Sequence, residues 1–253
     1  MLKDEANQYQ YLFLGGIIGE ILSLPFVGNY LKVNRKILKD LGIESTEHLT
    51  LNSFNAAHEN APELAKVIRR LHDKNKKPLI ILGHSKACLE LICCMIENLP
   101  LFKEVVKKVI CVQPPFRGSS IFEKYNYLKF AYPLWPGLKC LREDFYTNLY
   151  FEKIPTDKSL QGYMAENLIV IKGHQTNSDN VSWIIKPSHS IMKKAGYEND
   201  GLVKLKDQIL PHAIYKEFIL EMDHSDLFTS TLLSRRSNEF RKNVMVDLIN
   251  SIV

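Results

Sequence analysis

The chain has 253 residues, 45% of them hydrophobic and 24% charged, and its 33 basic and 28 acidic side chains leave a net charge of +5. This composition excludes a disordered or fibrous chain and supplies enough apolar side chains to bury a core without disulfides or metals. Basic residues are scattered, apart from Arg69-Arg70 and Lys74, Lys76 and Lys77, and aromatic residues do not interleave with them. That pattern argues against a nucleic-acid groove and reads as solvated surface. No apolar run reaches transmembrane length, and Met1-Leu2-Lys3-Asp4-Glu5 lacks a signal-peptide pattern, so a cytoplasmic location is expected. The five cysteines (Cys88, Cys93, Cys94, Cys111 and Cys140) show no zinc spacing and read as reduced, buried small hydrophobes.

Strand patterns alternate with helical ones along the chain, which argues for a mostly parallel sheet covered on both faces. Tyr9 to Leu14 reads as a strand ending at Gly15-Gly16. Leu31, Val33, Ile37, Leu38 and Leu41 give helical spacing over 30–41, stopped by Gly42. His48 to Leu51 reads as a short strand. Ala61 to Asn75 reads as a helix with Leu64, Val67, Ile68 and Leu71 on one face and Pro62 in its first turn. Leu79 to Leu82 is a buried strand, Lys86 to Asn98 an apolar helix ended by Pro100, and Val106 to Val112 the next strand. From 120 to 161 the pattern changes to a stretch rich in Phe, Tyr, Trp and Pro, read as a cap or lid inserted into a single domain. Strands are expected again at 168–172 and 215–220, and a helix from Asn238 to Val253.

The most informative segment is Leu79-Ile80-Ile81-Leu82-Gly83-His84-Ser85-Lys86-Ala87. An apolar strand enters Gly-x-Ser-x-Ala and leaves as an apolar helix, the context of a nucleophile elbow. A serine on so tight a turn projects its hydroxyl above the sheet. The residues two before and two after it must be small, as Gly83 and Ala87 are. The Lys86 N–H, at the helix N-terminus, would face a developing oxyanion.

On these residues the sequence resembles the α/β-hydrolase superfamily, in particular bacterial true lipases and related serine esterases. Those lipases usually carry Gly-Gly where Ala87-Cys88 stands. Gln113-Pro114-Pro115-Phe116-Arg117-Gly118-Ser119 is similar to their Thr-Pro-His-Arg-Gly-Ser segment, with Phe116 in place of histidine. The resemblance implies an α/β-hydrolase fold with a lid-like insertion and a triad in the order Ser, Asp, His.

A serine hydroxyl needs a base to take its proton. Of eight histidines, His48, His58 and His72 precede the serine and His84 lies inside the elbow. Among His174, His189, His212 and His224, the last follows an apolar strand in Met222-Asp223-His224-Ser225-Asp226, a setting similar to that of the lipase base. Asp200, in Asn199-Asp200-Gly201-Leu202-Val203, resembles the lipase acid loop. His174 is the rival base and Asp223 the rival acid. Gly15-Gly16-Ile17 stands where lipases have His-Gly-x, which makes the Ile17 N–H the second oxyanion donor. The same glycines form only a damaged dinucleotide fingerprint, with no acid after the second strand. Asp226 matches a calcium-binding position of related lipases. No second acidic ligand is matched, so surface capping is its expected role and no metal or cofactor is expected.

The resulting expectation is hydrolysis of a lipid or acyl ester by Ser85, His224 and Asp200, with Lys86 and Ile17 as oxyanion donors. The expected partner is a small-molecule acyl ester or a lipid, with peripheral contact at a lipid interface. An acyltransferase, a thioesterase and an inactive lipid-binding protein on the same fold stay open at this point.

Overall fold

The computed structural model describes residues 2–16, 30–53, 55–119, 150–229 and 234–252. A short helix α1 (Leu2–Ala6) precedes strand β1 (Gln10–Gly15). Helix α2 (Lys32–Asp40), β2 (Thr46–Thr50), α3 (Ala57–Asn75), β3 (Leu79–His84), α4 (Lys86–Glu97), α5 (Leu99–Val105) and β4 (Val106–Val112) follow. After residue 150 come α6 (Lys158–Asn167), β5 (Leu168–His174), α7 (Lys186–Lys194), β6 (Lys216–Glu221) and α8 (Asn238–Ile252). The six strands form one sheet in the order β2-β1-β3-β4-β5-β6. Every pairing is parallel.

Strand alternation sorts the core into two layers. Leu12, Leu14, Ile81, Val109, Cys111 and Val170 face α3, α4, α5 and α6 on one side. Phe13, Ile80, Leu82, Ile110, Ile169 and Ile171 face α2 and α8 on the other. A sheet covered on both faces needs strands apolar at every position, and β1 and β3 are buried throughout.

Differences from the sequence reading have local causes. The α3 helix starts one turn before Ala61, because Glu59 Oε2 accepts the Ala56 N–H at 2.6 Å and completes a cap there. Pro100 follows the end of α4, but it also sits in the first turn of a new helix, α5, where a missing N–H costs nothing. Helix α6 begins inside the aromatic stretch, where the Asp157 carboxylate caps the N–H groups of Ser159 and Leu160 at 2.9 and 3.0 Å. Most of the lid segment, 120–149, lies outside the described residues. Of its described tail, Phe151, Ile154 and Leu160 are buried in the core. Cys88, Cys93, Cys94 and Cys111 are buried thiols that form no disulfide; Cys140 lies outside the described residues. No helix among the described residues is long and apolar enough to cross a membrane.

The chain runs from β1 outward to β2, then back past β1 to β3 and on to β6. The strand order therefore reverses between β1 and β3. In open parallel sheets the crevice beyond the carboxyl ends of strands at such a point is where ligands bind. Gly16 follows β1 and Ser85 follows β3 at that place.

Candidate active site

Ser85 joins β3 to α4 with φ 57° and ψ −125°, a conformation non-glycine residues avoid. Such strain persists only where surrounding contacts over-determine it. Its N–H donates to the Val112 carbonyl at 3.0 Å, and its own carbonyl accepts the Cys88 N–H at 3.0 Å. Gly83 has no room for a side chain: an added Cβ would lie 2.6 Å from Leu91 Cδ1 and 3.3 Å from the Ala87 backbone. Gly16 closes the turn from β1, since a Cβ there would lie 2.8 Å from the His84 carbonyl and 2.9 Å from Ser85 Cβ.

His84 is buried beside this turn. The Tyr30 hydroxyl accepts the Gly16 N–H at 2.8 Å and lies 2.8 Å from His84 Nδ1. Burial raises the Tyr30 phenol, so it stays protonated. Burial, then His224 beside it, holds His84 well below the ordinary histidine range. A neutral imidazole accepting at Nδ1 fits both groups. Among the described residues His84 Nε2 is buried without a hydrogen-bond partner. The His84 ring lies 4.7 Å from that of His224, centroid to centroid. His84 thus bridges the serine turn and the late histidine.

His224 follows β6 on the turn Met222–Asp226. Its Nδ1 lies 2.8 Å from Asp200 Oδ2, and its backbone N–H donates to the Asp200 carbonyl at 2.8 Å. Asp200 is fully buried. Its Oδ1 accepts the N–H groups of Leu202 and Val203 at 2.9 and 2.8 Å. These donors satisfy a carboxyl group that is removed from water. Gly201 supplies the positive φ of 103° that turns the chain around it. The segment after β4 steadies this acid loop: Ser119 Oγ donates to the Leu202 carbonyl at 2.6 Å, and Arg117 N–H to the Asp207 carbonyl at 3.0 Å. Phe116, where the resembling lipases have histidine, is buried edge-on to Phe151.

The rival residues are engaged elsewhere. His174 Nδ1 lies 4.0 Å from Glu198 at the surface, and His189 Nε2 lies 2.7 Å from the Gln175 carbonyl. Asp223 turns away from the histidine and accepts the Ser182 N–H at 2.6 Å and the Ser225 hydroxyl at 2.7 Å. Burial, then the neighbouring Asp226, pushes the Asp223 carboxyl up to about 6. The expectation of surface capping for Asp226 is corrected: it is fully buried and closes the histidine turn from inside. It accepts the Asp223 N–H and the Ser234 hydroxyl, each at 2.8 Å. Among the described residues no group of three or more His, Cys, Asp or Glu could hold a metal ion.

Lys86 opens α4, so its N–H is one of the unpaired donors of a helix start. Ile17 lies outside the described residues. The sequence reading missed the Lys86 side chain. It is buried with its ammonium 2.6 Å from Glu90 Oε1, which also accepts the Asn60 amide at 2.8 Å. Burial raises the Glu90 carboxyl, and the Lys86 ammonium pulls it back. The lysine–glutamate spacing of four within an apolar helix was the signal available.

The sequence matches no protein-family model and no curated protein. Solved structures do match. A metagenomic carboxyl esterase superposes with a TM-score of 0.70 at 16% identity, covering 96% of this chain and 76% of that one. The mature form of a Bacillus licheniformis lipase gives 0.68 at 14% identity, covering 95% and 91%. Lipase 1 from Pelosinus fermentans gives 0.55 at 11%, covering 96% and 98%. The all-parallel sheet, the serine turn at its switch point and these superpositions show that the chain has the α/β-hydrolase fold.

Proposed function

We propose that the chain is a serine ester hydrolase that cleaves lipid or other acyl esters through an acyl-enzyme. Ser85 Oγ adds to the ester carbonyl while its proton passes to His224 Nε2. The carbonyl electron pair moves onto oxygen, where the N–H groups of Lys86 and Ile17 receive it. The intermediate then expels the alcohol, which takes the proton from His224, and the acyl group stays on Ser85. Water repeats the sequence with His224 as base, releasing the carboxylic acid and restoring Ser85. Asp200 holds the imidazole by Nδ1 and stabilises its charged form.

The observation that carries this reading is the buried 2.8 Å contact between Asp200 and His224 beside the strained Ser85 turn. With Nδ1 occupied, Nε2 is the nitrogen left for the serine. The aromatic and apolar composition of the segment 120–161 suits an acyl chain, which makes lipids the favoured substrate class.

The test is hydrolysis of p-nitrophenyl esters of increasing chain length, with Ser85→Ala in parallel. Turnover that rises with chain length and is lost in the variant supports the reading. Activity confined to short chains would leave an esterase without the lipid preference. Wild-type inactivity toward every ester, or turnover that survives Ser85→Ala, would overturn it.

A further inference from the structure

Gln113 is the first residue after β4, and its backbone is strained. Its φ of 50° lies in the left-handed region that residues other than glycine avoid. Such a conformation persists where surrounding contacts fix it, and it clusters at functional sites. The peptide joining Val112 to Gln113 is used at both ends. Its carbonyl accepts the Ser85 N–H at 3.0 Å, and its N–H donates to the Ile171 carbonyl at 2.8 Å.

The Gln113 side chain is fully buried and crosses β5 at Gly173. Glycine is needed there, since an added Cβ would lie 2.3 Å from Gln113 Nε2. Nε2 donates to the Asp223 carbonyl at 3.0 Å. That carbonyl belongs to the peptide joining Asp223 to His224, whose N–H donates to the Asp200 carbonyl at 2.8 Å. A carbonyl can only accept, so the amide nitrogen faces the His224 turn and the amide oxygen is left for another donor.

A donor is at hand. With Nδ1 accepting the Tyr30 hydroxyl at 2.8 Å, the neutral His84 ring carries its proton on Nε2. The Gln113 side chain and the His224 carbonyl are the acceptors that bear on this ring. His84 Nε2 and Gln113 Oε1 are both buried with no closed hydrogen bond among the described residues. One is a donor and the other an acceptor, and the interior penalises leaving either unmet.

We propose that Gln113 is a positioning residue for the base: its amide closes on His84 at one end and on the Asp223–His224 peptide at the other, so that the Ser85 turn and the His224 turn are held as one unit. Gln113 acts through those turns and not on the reacting atoms. Its effect on turnover rests on the hydrolase reading; the contact itself does not.

The contact is read in the wild-type chain by nitrogen NMR of isotope-labelled histidine, with the His84 signals assigned by their loss in His84→Phe. The expected state is a neutral ring with its proton on Nε2, and that signal should shift in Gln113→Met. A proton on Nδ1, a charged ring at neutral pH, or a signal unmoved by Gln113→Met would overturn the proposal, whether or not the chain hydrolyses esters.

The consequence is read in steady-state kinetics with a water-soluble ester, beside melting curves that establish the folded fraction. Gln113→Met, of similar length but without the amide, is expected to lower kcat by about a hundredfold and to leave KM within about twofold of wild type. In a His84→Phe background the same substitution should cost only about tenfold, because one of its two contacts is already gone. Equal factors in both backgrounds would overturn the link through His84. Wild-type kcat in folded Gln113→Met would overturn the positioning role and leave the hydrolase reading intact. A wild type without ester turnover, but with the His84 proton on Nε2 and sensitive to Gln113→Met, would count against the hydrolase reading and leave the contact standing.

Discussion

The serine turn and the acid–base turns are held in place by different physics. Around Ser85 the constraint is steric: a residue with φ 57° is fixed between two strands and a helix, with no space at Gly83 or Gly16 for one more carbon. Around Asp200 and His224 the chain is irregular, and the constraint is polar. Asp200 and Asp223 accept backbone N–H groups from Leu202, Val203, Ser182 and Ser225, and Asp226 closes the second turn. The first region is sensitive to an added atom, the second to a lost acceptor or a changed charge.

The largest effects fall where that difference meets the chemistry. Ser85→Ala and Asp200→Asn are each expected to lower kcat by about ten-thousand-fold. Ser85→Gly abolishes turnover equally but, by relieving the backbone, raises unfolding free energy by about 1 kcal/mol in urea denaturation. Asp200→Asn gains no stability, because the amide must place a donor where the carboxylate accepted. A serine variant without that gain would show that the turn is unstrained.

Next comes the buried ion pair behind the serine turn. Lys86→Met leaves Glu90 without its cation and is expected to cost about 3–5 kcal/mol. Lys86→Met combined with Glu90→Leu returns to within about 1–2 kcal/mol of wild type, since an apolar pair of similar volume needs no compensation. Denaturant midpoints of the single and double variants measure the difference.

A purely steric perturbation follows. Gly16→Ala places a methyl group 2.8 Å from the His84 carbonyl and 2.9 Å from Ser85 Cβ. The forced shift is expected to lower kcat by about a hundredfold. Steady-state kinetics with a soluble ester, beside a melting curve, separate this from unfolding.

The smallest effect belongs to the polar turns. The Asp223 carboxyl is raised from 3.8 to about 6 in the folded chain, by burial and then by Asp226. The folded state therefore holds more protons than the unfolded state across that window, so this group lowers stability as pH rises through it. Asp223→Asn removes that contribution, and the gap between the melting temperatures of variant and wild type changes across this window. A constant gap would mean that Asp223 does not titrate there.

Local chemistry explains which features could be read from the amino acids. β1, β3, β4 and β5 contain apolar runs bounded by Gly, Pro or polar residues, whereas β2 is a partly buried Thr-Glu-His-Leu-Thr; each of the six strands is recovered to within about two residues, as expected for boundaries set by fraying ends. The serine turn is legible because the geometry demands small residues at Gly83 and Ala87. Four helices, α1, α5, α6 and α7, were not read from the sequence, two of them for particular reasons. Pro100 marks both an end and a beginning, and α6 starts within an aromatic stretch that dominates the pattern. Contacts far apart in sequence left no local trace: Asn60 reaches Glu90 across thirty positions, and Tyr30 reaches His84 across fifty-four. The pairing of His224 with Asp200 over His174 with Glu198 is a matter of which turns meet in space, and only the family resemblance anticipated it.

The most direct test of the central claim, that Ser85 is a nucleophile activated by the Asp200–His224 pair, is fluorophosphonate labelling read by intact mass and peptide mapping. Wild type is predicted to gain one adduct, located on Ser85. Ser85→Ala should gain none, and His224→Ala should label slower by about a thousandfold or more. An unlabelled wild type, an adduct on another residue, or labelling of His224→Ala at the wild-type rate would contradict the account.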